Sequence, residues 1–164
     1  MSNNFKQGFY TPINKDKYIE PKGKDEVRPY FRSSYEERVF VWADLNKNIL
    51  RWCSECIVIP YQMMEWSEKY EKHILKKHKY ITDLYCEIKD SKGQITKWLI
   101  EVKPLKQTLE PKQPKRKTEK ALRRYIAEQA IYQKNTAKWA AAKQYALDHG
   151  MNFKILTETE IFNK

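Results

Sequence analysis

Cysteine, acid and long apolar runs are all in short supply in this 164-residue chain. Three cysteines, an odd number, do not make the disulfide framework of a small secreted domain. Two of them, Cys53 and Cys56 in "CSEC", precede His73 and His78 at something like zinc-finger spacing. Yet "RWCSECIVIPY" reads as a strand, where a spacing of three sends the two thiols to opposite faces. It also lacks a glycine that would fold both onto one metal, so ordinary cysteines of a reducing compartment are expected. No apolar run approaches a membrane span, and the opening "MSNNFKQGFYTP" has no signal-peptide core. A cytoplasmic protein is expected. Acids are outnumbered, 21 against 32 lysines and arginines, for a formal net charge of +11. That imbalance points to a polyanionic partner, nucleic acid first and an anionic membrane surface second.

What is present is a globular composition, 41 % hydrophobic and 13 % aromatic, of a size for one domain with an arm. Residues 1–30 are polar and broken by Pro12, Pro21 and Pro29, and they read as an extended N-terminal arm. Residues 31–164 read as a single α/β (mixed α+β) domain. Its first helix starts at Ser33 or Ser34, with Glu36 and Glu37 where the helix dipole favours acids. Tyr35, Val39, Trp42 and Ala43 form its expected buried stripe. "ILRWCSECIVIPYQ" supplies one long strand or two short ones stopped at Pro60. The stretch from Met63 to Lys79 is either a helix or an insertion. "YITDLYCEIKDSKGQITKWLIEVK" predicts a hairpin around "DSKG". A basic, proline-broken loop, "KPLKQTLEPKQPKRK", precedes two helices, 119–134 and 137–149, the second closed by Gly150. "NFKILTE" reads as a last strand.

Within the hairpin, "KWLIEVKP" is unusual. It puts Glu101 and Lys103 on the same face as Leu99, opposite Trp98, Ile100 and Val102. A turn centred near Lys92 sets Asp83 opposite Glu101, with Cβ atoms ~4.5–5.5 Å apart. Two facing carboxylates repel unless one takes a proton or both share a cation. Mg²⁺ suits such a pair, because it is held through one or two carboxylates plus water and phosphate oxygens. Lys103, on the same side, would orient the attacking water or stabilise charge on a phosphate. An Asp/Glu-x-Lys strand is often no more than a solvated face, but Leu99 argues that this face is covered.

These residues resemble the PD-(D/E)xK nucleases, with Asp83 on one strand and Glu101-Val102-Lys103 on the next. Thr82 stands where that motif usually has a proline, at a position without chemistry. The order of "RSSYE", "ILRWCSECIVIPY", "YITDLYCEI", "WLIEVKP" and "NTAKWAAAKQYALDHGMNFKILTETEI" is similar to one branch of that superfamily. The branch holds the TnsA-type transposon endonuclease subunits and the head-completion nucleases of large tailed phages, and the short chain favours the phage proteins. The resemblance implies a restriction-endonuclease-like core, a central mixed sheet flanked by helices. It implies Mg²⁺, with Mn²⁺ as a substitute, on Asp83, Glu101 and the Val102 carbonyl. Glu36, from the Ser33–Glu36 motif, would join through a water or a second ion, although a first-turn acid also satisfies a helix dipole. Double-stranded DNA is the implied substrate, and portal or neck and capsid proteins are the implied partners, in the host cytoplasm or the virion. DNA contacts are expected from Arg32, from Lys112, Lys115, Arg116 and Lys117 in the basic loop, and from Lys138. Lys138 opens the predicted last helix, whose N-terminus can face phosphate. Trp139 reads as core. A transposon-type subunit and a non-catalytic virion protein are the alternative functions, and the intact acid set argues against the latter.

Overall fold

The computed structural model describes residues 6–21, 23, 28–116 and 118–162. Two short strands, β1 (Gly8–Phe9) and β2 (Tyr30–Phe31), pair antiparallel and bring the arm back to the domain. Helix α1 (Ser34–Leu45) follows, then β3 (Ile49–Ser54), β4 (Val58–Ser67), β5 (Lys72–Ile81), β6 (Leu84–Lys89) and β7 (Ile95–Val102). A short turn of helix, α2 (Leu105–Thr108), leads to the long α3 (Glu119–Asp148), β8 (Asn152–Leu156) and α4 (Glu158–Phe162). The central sheet runs β3-β6-β7-β8 and is mixed, because β8 returns parallel to β7 while the other pairs are antiparallel.

The sheet is covered on both faces. One layer joins Val39, Phe40 and Ala43 of α1 to Trp52, Leu84, Cys86, Ile100 and Val102. The opposite layer joins Ala142 and Ala146 of α3 to Cys53, Tyr85, Leu99 and the ribbon residues Ile59, Tyr61 and Tyr80. The alternation read from "KWLIEVKP" therefore holds. Leu99 and Ile100 are both buried, on opposite faces, and Glu101 lies on the α3 side. The β6–β7 hairpin has the register expected from its turn, with Leu84 opposite Ile100 and Lys89 opposite Ile95. Asp90 Oδ1 accepts the amides of Lys92 and Gln94, and Gly93 takes the positive φ that the turn needs.

Four readings change. Residues 63–79 form most of a two-stranded ribbon, β4 against β5, whose inner face lies on α3. Pro60 does not stop β4. It pairs with Lys79 in a ribbon where both strands are edges, so its missing N–H can face outward. In α1, Trp42 is 39 % exposed and Phe40 takes its place in the core, because the stripe turns to bury Asp44. The two predicted C-terminal helices are one, of 30 residues. Asn135 and Thr136 look like a cap, yet Asn135 is buried, and Thr136 Oγ1 bonds back to the carbonyls of Tyr132 and Gln133 at 3.0 and 2.9 Å. All four buried residues of α3 fall from Asn135 onward, so its first half is held mainly at α2.

The described part of the arm is fastened chiefly at Asp44, with a second tie from Lys6 Nζ to Glu37 at 2.7 Å. Asp44 is fully buried and accepts Tyr10 Oη at 2.7 Å and the amides of Ile13 and Asn14 at 2.7 and 3.0 Å. Tyr18 meets Trp52 at a tilt, with ring centres 4.7 Å apart, which seats the arm on the core.

Candidate active site

Four elements converge at the open end of the β6–β7 hairpin. The ladder stops at Leu84, so Asp83 lies one residue past it rather than in a cross-strand pair with Glu101. Its Oδ2 accepts the Val102 amide at 2.7 Å, which ties the two strand ends together. Glu101 is only 2 % exposed, and both its oxygens are engaged. Oε1 pairs with Lys103 Nζ at 2.9 Å, and Oε2 accepts Tyr80 Oη at 2.5 Å. Burial first, and then the Glu101 charge, hold the Asp83 carboxyl well above the usual range. Lys103 and the Val102 amide oppose that shift. Burial works against the Lys103 ammonium, but the charges of Glu101 and Asp83 outweigh it and raise its pKa. Tyr80 is raised by burial and by Glu101, so it stays a hydrogen-bond donor at any working pH.

Glu36 stands at the edge of this group. Its Oε2 accepts the Arg32 amide at 2.9 Å, and its Oε1 accepts Ser33 Oγ at 3.0 Å. Ser33 Oγ accepts the Glu36 amide in return, a reciprocal cap at the start of α1. The charge of Glu36 is felt by both Asp83 and Lys103. Among the described residues, however, no three His, Cys, Asp or Glu side chains stand close enough to share one ion.

Lys138 reaches the site by a route the sequence did not indicate. It lies in the middle of α3, not at a helix N-terminus, so the dipole rationale for it fails. Instead its Nζ lies 5.5 Å from the centre of the Tyr80 ring. Burial lowers its pKa, with Glu101 and Asp83 opposing and Lys103 and Lys134 adding repulsion. Arg32 pairs with Glu55 and feels Glu36 and Asp83, at the mouth of the same site. Trp139 is core. Lys112, Lys115 and Arg116 are exposed, and Lys117 lies outside the described residues.

Two members were missed in the sequence. Tyr80 was hidden because its strand was unassigned; its spacing from His78 and Lys76 would have placed it on the inner face once β5 was known. Glu55 sits in the β3–β4 turn with φ +52, and its amide donates to the Asp83 carbonyl at 3.4 Å.

The donor set is oxygen-rich and hard, two carboxylates beside a strand-end carbonyl, with a lysine within reach. Residues 46–158 match the family of TnsA-like endonucleases in its N-terminal region. The chain belongs to this family. A TnsA-like endonuclease is an enzyme that cuts DNA and needs a divalent metal, and the mixed sheet between helices fits its restriction-endonuclease-like fold. This TnsA-like endonuclease is also similar to the head completion nuclease of Enterobacteria phage T4. The two are 37 % identical over 151 residues, 92 % of this chain and 90 % of that protein. No helix among the described residues is long and apolar enough to cross a membrane.

Tyr80→Phe tests the hydroxyl that fixes Glu101. The ring and its packing stay, and one donor is lost. The expected result is a fall in kcat of about 10–100-fold, as for other groups that orient a metal ligand, with KM for DNA little changed. Steady-state plasmid nicking separates the two parameters, and an unaltered kcat would leave the hydroxyl a packing feature only.

Proposed function

We propose that this TnsA-like endonuclease hydrolyses phosphodiester bonds with Mg²⁺ during phage head completion, processing DNA before tails join. The observation that supports it most directly is the Asp83–Glu101–Lys103 cluster, bridged by the Val102 amide and the Tyr80 hydroxyl. Similarity over nine-tenths of a phage head completion nuclease favours that setting over a transposon-end subunit. Asp83, Glu101 and the Val102 carbonyl would hold the ion, and Glu36 would contribute through water. When bound, the ion supplies Lewis-acid polarisation of a phosphoryl oxygen. Lys103 would position the attacking water and stabilise the charge that develops on the phosphate. Lys138, on the other side of Tyr80, offers a second ammonium to that charge. Arg32 contacts the strand at the rim. Portal or neck proteins are the proposed partners, reached from the host cytoplasm or within the virion. The test is plasmid cleavage that requires a divalent cation and stops on chelation, and cleavage indifferent to chelator would overturn it.

The basic loop is proposed to hold duplex phosphates rather than read bases. Lys112, Lys115 and Arg116 are exposed among prolines without an aromatic neighbour in the run. Each phosphate contact contributes about −0.9 to the slope of log K against log salt. Replacing Lys112, Lys115, Arg116 and Lys117 with Gln should therefore flatten that slope by ~3–4 and weaken unrelated duplexes alike. Binding across a salt series measures it. An unchanged slope would return the run to the role of a solvated linker.

A further inference from the structure

The β4–β5 ribbon sorts its side chains by face. Its strands contain one acid, Glu65, which points inward and pairs with Lys76 at 3.2 Å and with His78 at 2.9 Å. Burial alternates along both strands, so the outer face, turned away from α3, carries Lys77 and Lys79 and no acid. Among the described residues neither lysine has an ion-pair or hydrogen-bond partner. The rest of that face is largely apolar. Met64 and Trp66 are 55 % exposed and Leu75 58 %, and Val58 and Ile81 lie open at the root. Met64 stands opposite Leu75, and Trp66 meets His73 edge to face at 5.3 Å, which makes one patch toward the tip. Exposed apolar side chains grouped in this way mark a surface that meets a partner.

The charge of the face decides which partner. A second copy laid on it would set the same lysines against each other. Duplex DNA brings the opposite sign, and DNA is what a TnsA-like endonuclease cuts. The dimensions agree. Ten residues per strand span ~33 Å, about one turn of duplex, and a two-stranded ribbon fits the major groove. The root of the ribbon also adjoins the acids. β5 ends at Ile81, two residues before Asp83, and Tyr80 on its inner face donates to Glu101.

We infer that the outer face of the ribbon is a second hold on duplex DNA, outside the stretch being cut. Lys77 and Lys79 take backbone phosphates, and Met64, Trp66 and Leu75 rest against the walls of the groove between them. The inference rests on the endonuclease reading of the Asp83 site. It adds a requirement on the substrate, about one further turn of duplex beside the cut.

The test is binding of a duplex of about 30 base pairs in chelator, where nothing is cut, across a salt series. The parent is compared with three double variants: Lys77→Gln with Lys79→Gln, Trp66→Ala with Leu75→Ala, and Lys92→Gln with Lys97→Gln. The last makes the same change of charge at the closed end of the β6–β7 hairpin, away from the ribbon and the acids. Loss of the ribbon lysines should flatten the slope of log K against log salt by ~2. That variant then loses about tenfold less affinity than the parent between ~50 and ~200 mM salt. The hairpin variant should keep the parent's slope. The apolar variant should bind about tenfold or more weakly at an unchanged slope, and the exposed lysines carry the test if it does not fold. Equal slopes for the two lysine variants overturn the inference. So does a parent dimer that the apolar substitutions break apart, because the face would then lie between copies. The two readings fail separately: if Asp83→Ala still cuts, the acid site is wrong, while the binding result in chelator stands by itself.

Discussion

Asp83→Ala should lower plasmid nicking by about 10³-fold or more, and Glu101→Ala should do the same. The expectation follows from how little redundancy the cluster has. Asp83 and Glu101 are the two carboxylates at the strand ends, and Glu36 is committed to capping α1. Binding should survive, because removing an acid leaves Lys103, Lys138 and Arg32 in place and makes the local surface more positive. Stability should divide the two positions. Burial and Glu101 raise the pKa of Asp83, so its folded form holds a proton more tightly than the unfolded chain. A raised carboxylate stabilises below the unfolded value of about 3.9 and loses that contribution as pH rises through the folded value. At neutral pH without metal the Asp83 charge is therefore a burden, and Asp83→Asn should match or exceed the parent in melting temperature. Glu101→Ala strands the Tyr80 hydroxyl and the Lys103 ammonium and should be less stable. Added Mg²⁺ should raise the parent's melting temperature more than that of Asp83→Asn. Nicking by Asp83→Ala at the parent's rate, or equal Mg²⁺ shifts in both proteins, would move the reactive centre elsewhere.

The largest loss of stability is expected at Asp44→Ala. The variant leaves Tyr10 Oη and the amides of Ile13 and Asn14, all in part-buried bonds, without their acceptor. Losing a charged acceptor shared by three part-buried donors costs on the order of 2–3 kcal/mol. For a domain of this size that is about 5–10 °C in melting temperature. The pH dependence has a definite sign. Burial opposes the charge, but the Tyr10, Ile13 and Asn14 donors prevail and hold the Asp44 pKa below its usual value. A lowered carboxylate stabilises above the unfolded value and loses that contribution as pH falls through the folded one. Parent stability should decline below about pH 4, and Asp44→Asn should show less of that decline. Urea unfolding across pH measures both, and a melting temperature within 2–3 °C of the parent's, about 1 kcal/mol, would show the arm to be held by its aromatic contacts instead.

Much of the site was legible because it depends on period-two alternation and one turn. The faces of "KWLIEVKP" and the register around Lys92 follow from local rules, and they brought Asp83, Glu101 and Lys103 to one place. What local rules could not show was the carboxylate leaving the ladder to take the Val102 amide, since that depends on the chain entering from β5. The ribbon was illegible for a related reason. Its inner face is half-covered by α3 and carries Glu65, Lys76 and His78, so the hydrophobic period is blurred by charged residues that pair with one another. The single α3 was missed because Asn135 and Thr136 have cap chemistry, and only burial against the sheet decides that they continue the helix. Lys138 illustrates the difference between a residue and its reason. It was chosen for a dipole it does not face, and it stands by the acids because α3 crosses over Tyr80.

The unbroken course of α3 has a mechanical consequence. Its inner half is clamped to the sheet, and its outer half runs past the core against α2 and the loop that follows it, where Gln129 Nε2 donates to the Pro111 carbonyl at 3.2 Å. At 1.5 Å per residue, Lys138 lies about 29 Å along the same rod from Glu119. A helix with no break along that span is a lever, with the sheet contacts from Asn135 onward as its fulcrum and the Tyr80–Lys138 contact close to the pivot. Force applied near Glu119 is geared down there, so a swing of several ångströms at the tip moves the ammonium beside the Tyr80 ring by only a fraction of an ångström. The candidate site is thereby insulated from whatever tugs on the far end.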